Sequence, residues 1–354
     1  MPVWKYLMWP LALIWGFFAA LRNWLYDINF LNGAEFEVPS ISIGNLSMGG
    51  SGKTPMTEYF ILHFKEVFNI AVLSRGYRRK SSGFKIAKTN DNYTIIGDEP
   101  RQIKAKFNDI VVAVGESRAM AIPQIISHAP QTNLIILDDA FQHRSVKPAL
   151  NVLLTPYHEP FWKDHLFPMG WLREQRSNSK RADIIMVTKC PQDFNASDEA
   201  RIKSEFQPDK DQKMFFATVQ YHLPYQLFMP QNKKAIDNQT SVLLFSGIAD
   251  GKELNEYLSA AAKEVFWVEF DDHYNYEQSD LETLQETFAN LDSPNKMILT
   301  TEKDAVRLEP YMNYILSQQL EIYCLPIQVR LIGSNKDQFD NLVFQFINFY
   351  NSAN

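Results

Sequence analysis

The segment Gly44–Pro55, GNLSMGGSGKTP, lies between a short apolar run and a stretch of helical character. Glycines at 49, 50 and 52 let backbone N–H groups turn inward around phosphate oxygens. The N-terminus of the following helix adds a favourable dipole. The usual phosphate loop, G-x-x-x-x-G-K-[ST], would open with glycine at position 47. That residue is Ser47, so the strict pattern fails. With strand, loop, Lys-Thr and helix in order, Lys53 reaches the β- and γ-phosphates of a nucleoside triphosphate and Thr54 offers a hydroxyl to Mg²⁺. The bland alternative is a glycine-rich turn without chemistry.

The rest of the chain fits such a loop. Short β-rich runs alternate with helical ones, as a parallel α/β sheet requires. Strands are predicted at Ser40–Gly44, Ile70–Ser74, Asp109–Gly115, Asn133–Leu137, Asn151–Thr155 and Ala182–Thr188, with helices at Thr54–Phe68 and Glu116–His128. The expected fold is a P-loop NTPase-like parallel sheet with helices on both faces, over residues 36–207. A polar stretch at Pro208–Lys213 marks a boundary, and 208–230 reads as a linker ribbon. Residues 231–354 are expected to form a smaller α/β lobe, with strands at Ser241–Ser246, Val265–Phe270, Lys296–Thr300 and Glu321–Ile327. Phe339, Leu342, Val343, Phe346, Phe349 and Tyr350 recur at helical spacing and predict an amphipathic final helix.

Residues 1–30 differ in character. Tyr6–Leu21 is apolar and uncharged, bracketed by Lys5 and Arg22. It is shorter than the roughly 20 residues a spanning helix needs, and Pro10 and Gly16 weaken it. No A-x-A-like cleavage site follows, against a signal peptide. Trp4, Trp9, Trp15 and Trp24, four of the seven tryptophans, lie here. Trp favours the membrane–water boundary, so the segment reads as a helix lying in one leaflet, with a buried core helix as the alternative.

Four further segments carry chemistry. Asp138 and Asp139 close the apolar run LIILDD, where a phosphate-loop enzyme needs an acid for Mg²⁺, although such a pair is also a common turn. GDEP, Gly97–Pro100, sets Asp98 and Glu99 side by side in a loop before a helix; capping accounts for only one of them. Basic clusters stand at Arg75, Arg78, Arg79 and Lys80, and at Arg173, Arg176, Lys180 and Arg181. The chain has 35 Lys and Arg against 41 Asp and Glu, a net charge of -6, which argues against a general nucleic-acid binder. Local clusters of this kind suit an anionic ligand or lipid surface, or simply a solvated face. Two distant cysteines, Cys190 and Cys324, exclude a disulfide scaffold or a Cys-based zinc site.

In order along the chain, ISIGNLSMGGSGKTP, LSRGY, GDEP, LDDAFQHR, MGWLRE followed by RAD, and TEKDAVRL resemble the tetraacyldisaccharide 4'-kinases, the lipid A 4'-kinase family of Gram-negative bacteria. The resemblance covers essentially the whole chain. It implies transfer of the γ-phosphate of ATP to the 4'-hydroxyl of an acylated glucosamine disaccharide 1-phosphate. It also implies Mg²⁺ dependence and a peripheral or monotopic position on the cytoplasmic face of the inner membrane. No nucleic acid or obligate protein partner is implied.

Carried over by position, Ser47, Met48, Gly49, Gly50, Ser51, Gly52, Lys53 and Thr54 form the ATP loop. Asp98 is the catalytic carboxylate that accepts the substrate proton, and His273 supports it from the second lobe. Thr54, Glu99, Asp138 and Asp139 face the metal. Asn45, Arg75, Arg118, Gln142, His143 and Arg173 face the substrate. Ala140, Arg78, Trp171 and Gln175 depart from the family pattern and bear on loop shape and lipid fit. Two rivals use the same residues. Partition-type switch ATPases carry Lys where Met48 stands. A non-catalytic membrane module would be expected to have lost one of Lys53, Thr54, Asp98 and Asp138.

Overall fold

The computed structural model describes residues 7–353. Trp4, Lys5 and Tyr6 of the N-terminal stretch, and Asn354, lie outside the described residues. The strands are β1 (Ser40–Asn45), β2 (Ile70–Ser74), β3 (Lys85–Ile86), β4 (Val111–Val114), β5 (Leu134–Asp138), β6 (Leu150–Pro156), β7 (Ile184–Thr188), β8 (Lys213–Tyr221), β9 (Tyr225–Gln226), β10 (Met229–Lys233), β11 (Ser241–Ser246), β12 (Glu264–Glu269), β13 (Lys296–Thr301), β14 (Ile322–Leu325) and β15 (Ile327–Ile332). The helices are α1 (Trp9–Asp27), α2 (Lys53–Phe64), α3 (Tyr93–Ile96), α4 (Asp98–Lys106), α5 (Arg118–His128), α6 (Ala196–Phe206), α7 (Lys252–Ala261), α8 (Gln278–Ala289), α9 (Glu302–Ala305), α10 (Met312–Ser317) and α11 (Phe339–Ala353).

The first lobe is a nine-stranded sheet in the order β15-β8-β7-β6-β1-β5-β2-β4-β3. Its seven inner strands are parallel, and β15 and β3 close the edges antiparallel. Strands β1, β2, β5 and β7 are buried along their whole length, which is why they read as nearly unbroken apolar runs. Ile43 of β1 lies opposite Asp138 of β5, so the glycine loop and the acidic pair leave the same sheet edge side by side. Ligands of open parallel sheets bind at that edge, outside the carboxyl ends of the strands. The second lobe is a six-stranded sheet ordered β10-β9-β14-β13-β11-β12.

The lobe boundary differs from the expectation. Residues 208–230 are not a linker, because β8 is a buried parallel strand beside β7. The C-terminal part of 231–354 does not stay in the second lobe either. Strand β15 returns to pair with β8 from Ile327↔Tyr221 to Ile332↔Phe216. Phe339, Val343 and Ile347 of α11 pack into the same core as Phe60 and Phe64 of α2. A strand with two apolar faces needs both an edge partner and a covering helix, and the chain's last elements supply them for β8. The six-stranded sheet is thus an insertion between β8 and β15.

Helix α1 is not a buried core helix. Only Ala12, Gly16 and Asn23 are buried. Gly16 fits against Leu166, the Trp15 indole donates to the Arg173 carbonyl at 2.9 Å, and the Asn23 amide donates to Glu174 at 2.5 Å. Trp9, Leu13, Phe17, Phe18 and Trp24 stand outward, Phe17 and Phe18 each 63% exposed. Among the described residues no helix is long and apolar enough to cross a membrane.

One close approach positions the loop. A Cβ on Gly44 would lie 2.7 Å from the Phe141 backbone nitrogen, in the turn after β5. Gly44→Ala is therefore expected to lower stability by about 1–3 kcal/mol in urea denaturation, the usual cost of overpacking. Gly50→Ala, whose Cβ would meet nothing nearer than 3.9 Å, should be close to neutral in the same measurement.

Candidate active site

After β1 the backbone turns at Ser47, which bridges to Leu172, and the Met48 N–H donates to the Trp171 carbonyl at 2.8 Å. The expected loop is thus braced by the MGWLRE segment. Gly49 and Gly52 adopt φ +115° and +80°, values that favour glycine, and Gly52 caps α2. The Lys53 ammonium donates to Asn45 Oδ1 at 3.4 Å and lies 3.8 Å from Asp139. Asn45 itself is buried behind the loop, and its amide donates to the Ser47 carbonyl at 2.5 Å. It shapes the loop.

Asp138 is buried at the end of β5. Thr57, not Thr54, donates a hydroxyl to its Oδ1 at 3.4 Å, while Oδ2 has no partner. Burial and the neighbouring Asp139 charge raise its pKa. Asp139 is held down, against burial, by the Lys53 and Arg173 cations, with Arg173 at 3.2 Å. Burial, reinforced by the Asp138 charge, pushes Glu99 up to about 7. An orphaned carboxylate oxygen, a crowded second acid and the Thr54 hydroxyl make an all-oxygen donor set of the kind Mg²⁺ prefers. No three His, Cys, Asp or Glu among the described residues form a cage by themselves.

Asp98 and Glu99 open α4 instead of preceding it, after Gly97 at φ +94°. The helix dipole there favours negative charge. Asp98 Oδ2 lies 2.7 Å from His273 Nδ1 and accepts from Arg307 Nη2 at 2.7 Å, both from the second lobe. Burial alone would raise Asp98; the His273 hydrogen bond and the Arg307 charge overcome it and hold the carboxyl well below the usual range. Arg307, only 1% exposed, is fixed by Asp304 at 3.0 Å and the Gly247 carbonyl at 3.2 Å. Sequence reasoning gave Arg307 no role. Its signal was the charge density of TEKDAVRL directly after a buried strand.

A cleft of about 1010 Å³ opens beside these groups; Glu99 and Asp139 line it, whereas Asp98 and Asp138 do not. Arg75, Gln142, His143 and Arg173 line it together with Lys53, Thr54, Glu99 and His273. Burial and the nearby Arg118 charge depress His143 to about 4. Arg118, expected on the substrate side, is 0% exposed and absent from the cleft wall. Its guanidinium donates to the carbonyls of Gly115 and Asp138 at 3.0 Å each, tying together the ends of β4 and β5.

The family model described as tetraacyldisaccharide-1-P 4'-kinase matches residues 4–348. The chain belongs to that family. A tetraacyldisaccharide 4'-kinase of Phocaeicola vulgatus is 39% identical over 347 residues, covering 96% of this chain and 94% of the relative. One of Flavobacterium johnsoniae is 38% identical over 341 residues, covering 96% of each. The crystal structure of LpxK from Aquifex aeolicus in complex with ATP superposes with a TM-score of 0.75 at 26% identity, covering 98% of this chain and all of that one. The P-loop fold of this 4'-kinase family member is the one expected.

The position of Arg118 generates a test within the family framework. Arg118→Lys, which cannot reach both carbonyls in the same plane, should lower stability by about 1–3 kcal/mol in urea denaturation. KM for the phosphoryl acceptor should stay unchanged. A raised KM with intact stability would return Arg118 to the substrate side.

Proposed function

We propose that the protein transfers the γ-phosphate of ATP to the 4'-hydroxyl of a tetraacylated glucosamine disaccharide 1-phosphate, working with Mg²⁺ at the cytoplasmic face of the bacterial inner membrane as a peripheral or monotopic protein. The observation that carries this reading is the continuity of the cleft. The same cleft is lined by Trp15, Phe18 and Ala19 of α1 and by the glycine loop, Lys53 and His273. A disaccharide headgroup can enter between the lobes while its acyl chains stay along the exposed face of α1, as an interfacial helix allows.

Phosphoryl transfer passes through a loose transition state, so positioning and charge stabilisation dominate over covalent chemistry. Lys53 leaves Asn45 and Asp139 to contact the phosphates, and Arg173 then keeps Asp139 neutralised. Asp98 accepts a hydrogen bond from the 4'-hydroxyl, aligns the oxygen for in-line attack and receives its proton as the bond to the γ-phosphorus forms and the bond from that phosphorus to the bridging oxygen breaks, releasing ADP. A carboxylate of such low pKa is a weak base, so proton transfer comes late and orientation is its larger contribution. Arg75, Gln142 and His143 face the sugar and its phosphate. When bound, Mg²⁺ held by Thr54, Asp138 and Glu99 supplies charge neutralisation at the β- and γ-phosphates.

The test is incubation with γ-labelled ATP and a tetraacyldisaccharide 1-phosphate, followed by NMR mapping of the new phosphate. Label at the 4'-position is expected. Lys53→Ala should remove it by a factor of about 10³ or more while remaining folded. ATP hydrolysis at one rate with and without the disaccharide, and no labelled lipid, would mark a nucleotide switch instead.

A further inference from the structure

We propose that Lys303 fixes His273 as its Nδ1–H tautomer and is thereby a positioning residue for Asp98. Lys303 is the second residue of α9, on the lobe opposite Asp98. Its ammonium donates to Asp272 Oδ1 at 3.0 Å and lies 3.3 Å from His273 Nε2. An ammonium has donors only, whereas a neutral imidazole has one donor and one acceptor. Nε2 therefore presents its lone pair to Lys303, and the ring proton sits on Nδ1, 2.7 Å from Asp98 Oδ2. An imidazolium would set Nε2–H against the ammonium. The Nε2–H tautomer would do the same and leave two lone pairs facing each other at Asp98.

The surroundings hold this arrangement in place. His273 is at φ +60°, a conformation a histidine keeps only where its surroundings impose it. Arg78 reaches across from the first lobe to the carbonyls of Asp272 and His273 at 3.2 and 3.3 Å. The Tyr77 ring packs edge-on against the imidazole at 5.3 Å. Asp272 Oδ2, at 3.7 Å from Nε2, is beyond hydrogen-bond range and anchors Lys303 through its other oxygen. The tautomer is thus set from the side of the ring away from Asp98. Fixing it keeps His273 a donor to Oδ2, leaving Oδ1, which accepts the Glu99 backbone N–H at 3.1 Å, to take the sugar hydroxyl on its second lone pair.

The proposal rests on the kinase reading only for its kinetic half. Long-range proton–nitrogen correlation spectra of the full-length protein in detergent, with His273 assigned by His273→Gln, report the tautomer directly. The wild type should show Nδ1 protonated and Nε2 bare at neutral pH. Lys303→Met should lose that pattern and lower kcat about tenfold or more, with KM for ATP and disaccharide changed less than about twofold. Lys303→Arg, which keeps the donor, should restore the pattern and most of kcat. A protonated Nε2 in the wild type, or an unaltered tautomer in Lys303→Met, would overturn the proposal. So would a raised KM for ATP without a tautomer change, which would make Lys303 a phosphate contact. A wild type with the expected tautomer and no lipid phosphorylation would defeat the kinase reading alone.

Discussion

Asp98 Oδ2 accepts from His273 and Arg307 at 2.7 Å each, and both partners come from the inserted sheet. This buried junction ties the two lobes together across the cleft. A buried carboxylate without partners would protonate or unfold its surroundings, and removing one partner of a buried ion pair typically costs about 3–5 kcal/mol. The same face of α4 carries Arg101, 2.7 Å from Glu309, and Lys106, 3.0 Å from Glu302. On the far side of the glycine loop, Lys189 meets Asp250 at 2.7 Å. The lobes therefore meet through charge, while each keeps its own apolar core. Such an interface is readily hydrated, so the relation between the lobes rests on the geometry of these paired charges.

This arrangement depends on the insertion. Because the second sheet leaves the chain after β8 and returns at β15, both ends of the inserted segment are strands of the first lobe. The Asp98 contacts from α4 then fix it at a further point. Helix α1 stands apart from this design. It is tied down by small residues and polar contacts at Gly16, Asn23 and Trp15, leaving its bulky side chains outward at the mouth of the cleft.

Much of this was legible in the residues. The parallel strands announced themselves as apolar runs, and the glycine loop with its acidic neighbour marked the working edge of the sheet. The Asp98–His273 pairing followed from the family resemblance; no spacing argument could have joined residues so far apart in sequence. What stayed hidden has physical reasons. The apolar stripe of α11 says that it packs, but not that Phe60 and Phe64 receive it. β15 follows β14 directly, so only its pairing with β8 assigns it to the first lobe. Arg118 and Arg307 look alike as lone arginines in helical segments. Both are buried, and their partners separate them: the first satisfies main-chain carbonyls, whereas the second satisfies the Asp98 carboxylate. The family resemblance placed Arg118 on the substrate side and left Arg307 unassigned.

The central claim is that Asp98 and His273 act as one unit built across the two lobes. Its most direct test is a double-mutant cycle in kcat under saturating ATP and disaccharide, using Asp98→Asn, His273→Ala and their combination. Residues acting as a unit are strongly non-additive. Asp98→Asn should be far more damaging than His273→Ala, and the combination little worse than Asp98→Asn alone. Fully multiplicative losses, with both single variants folded and binding ATP normally, would contradict the account.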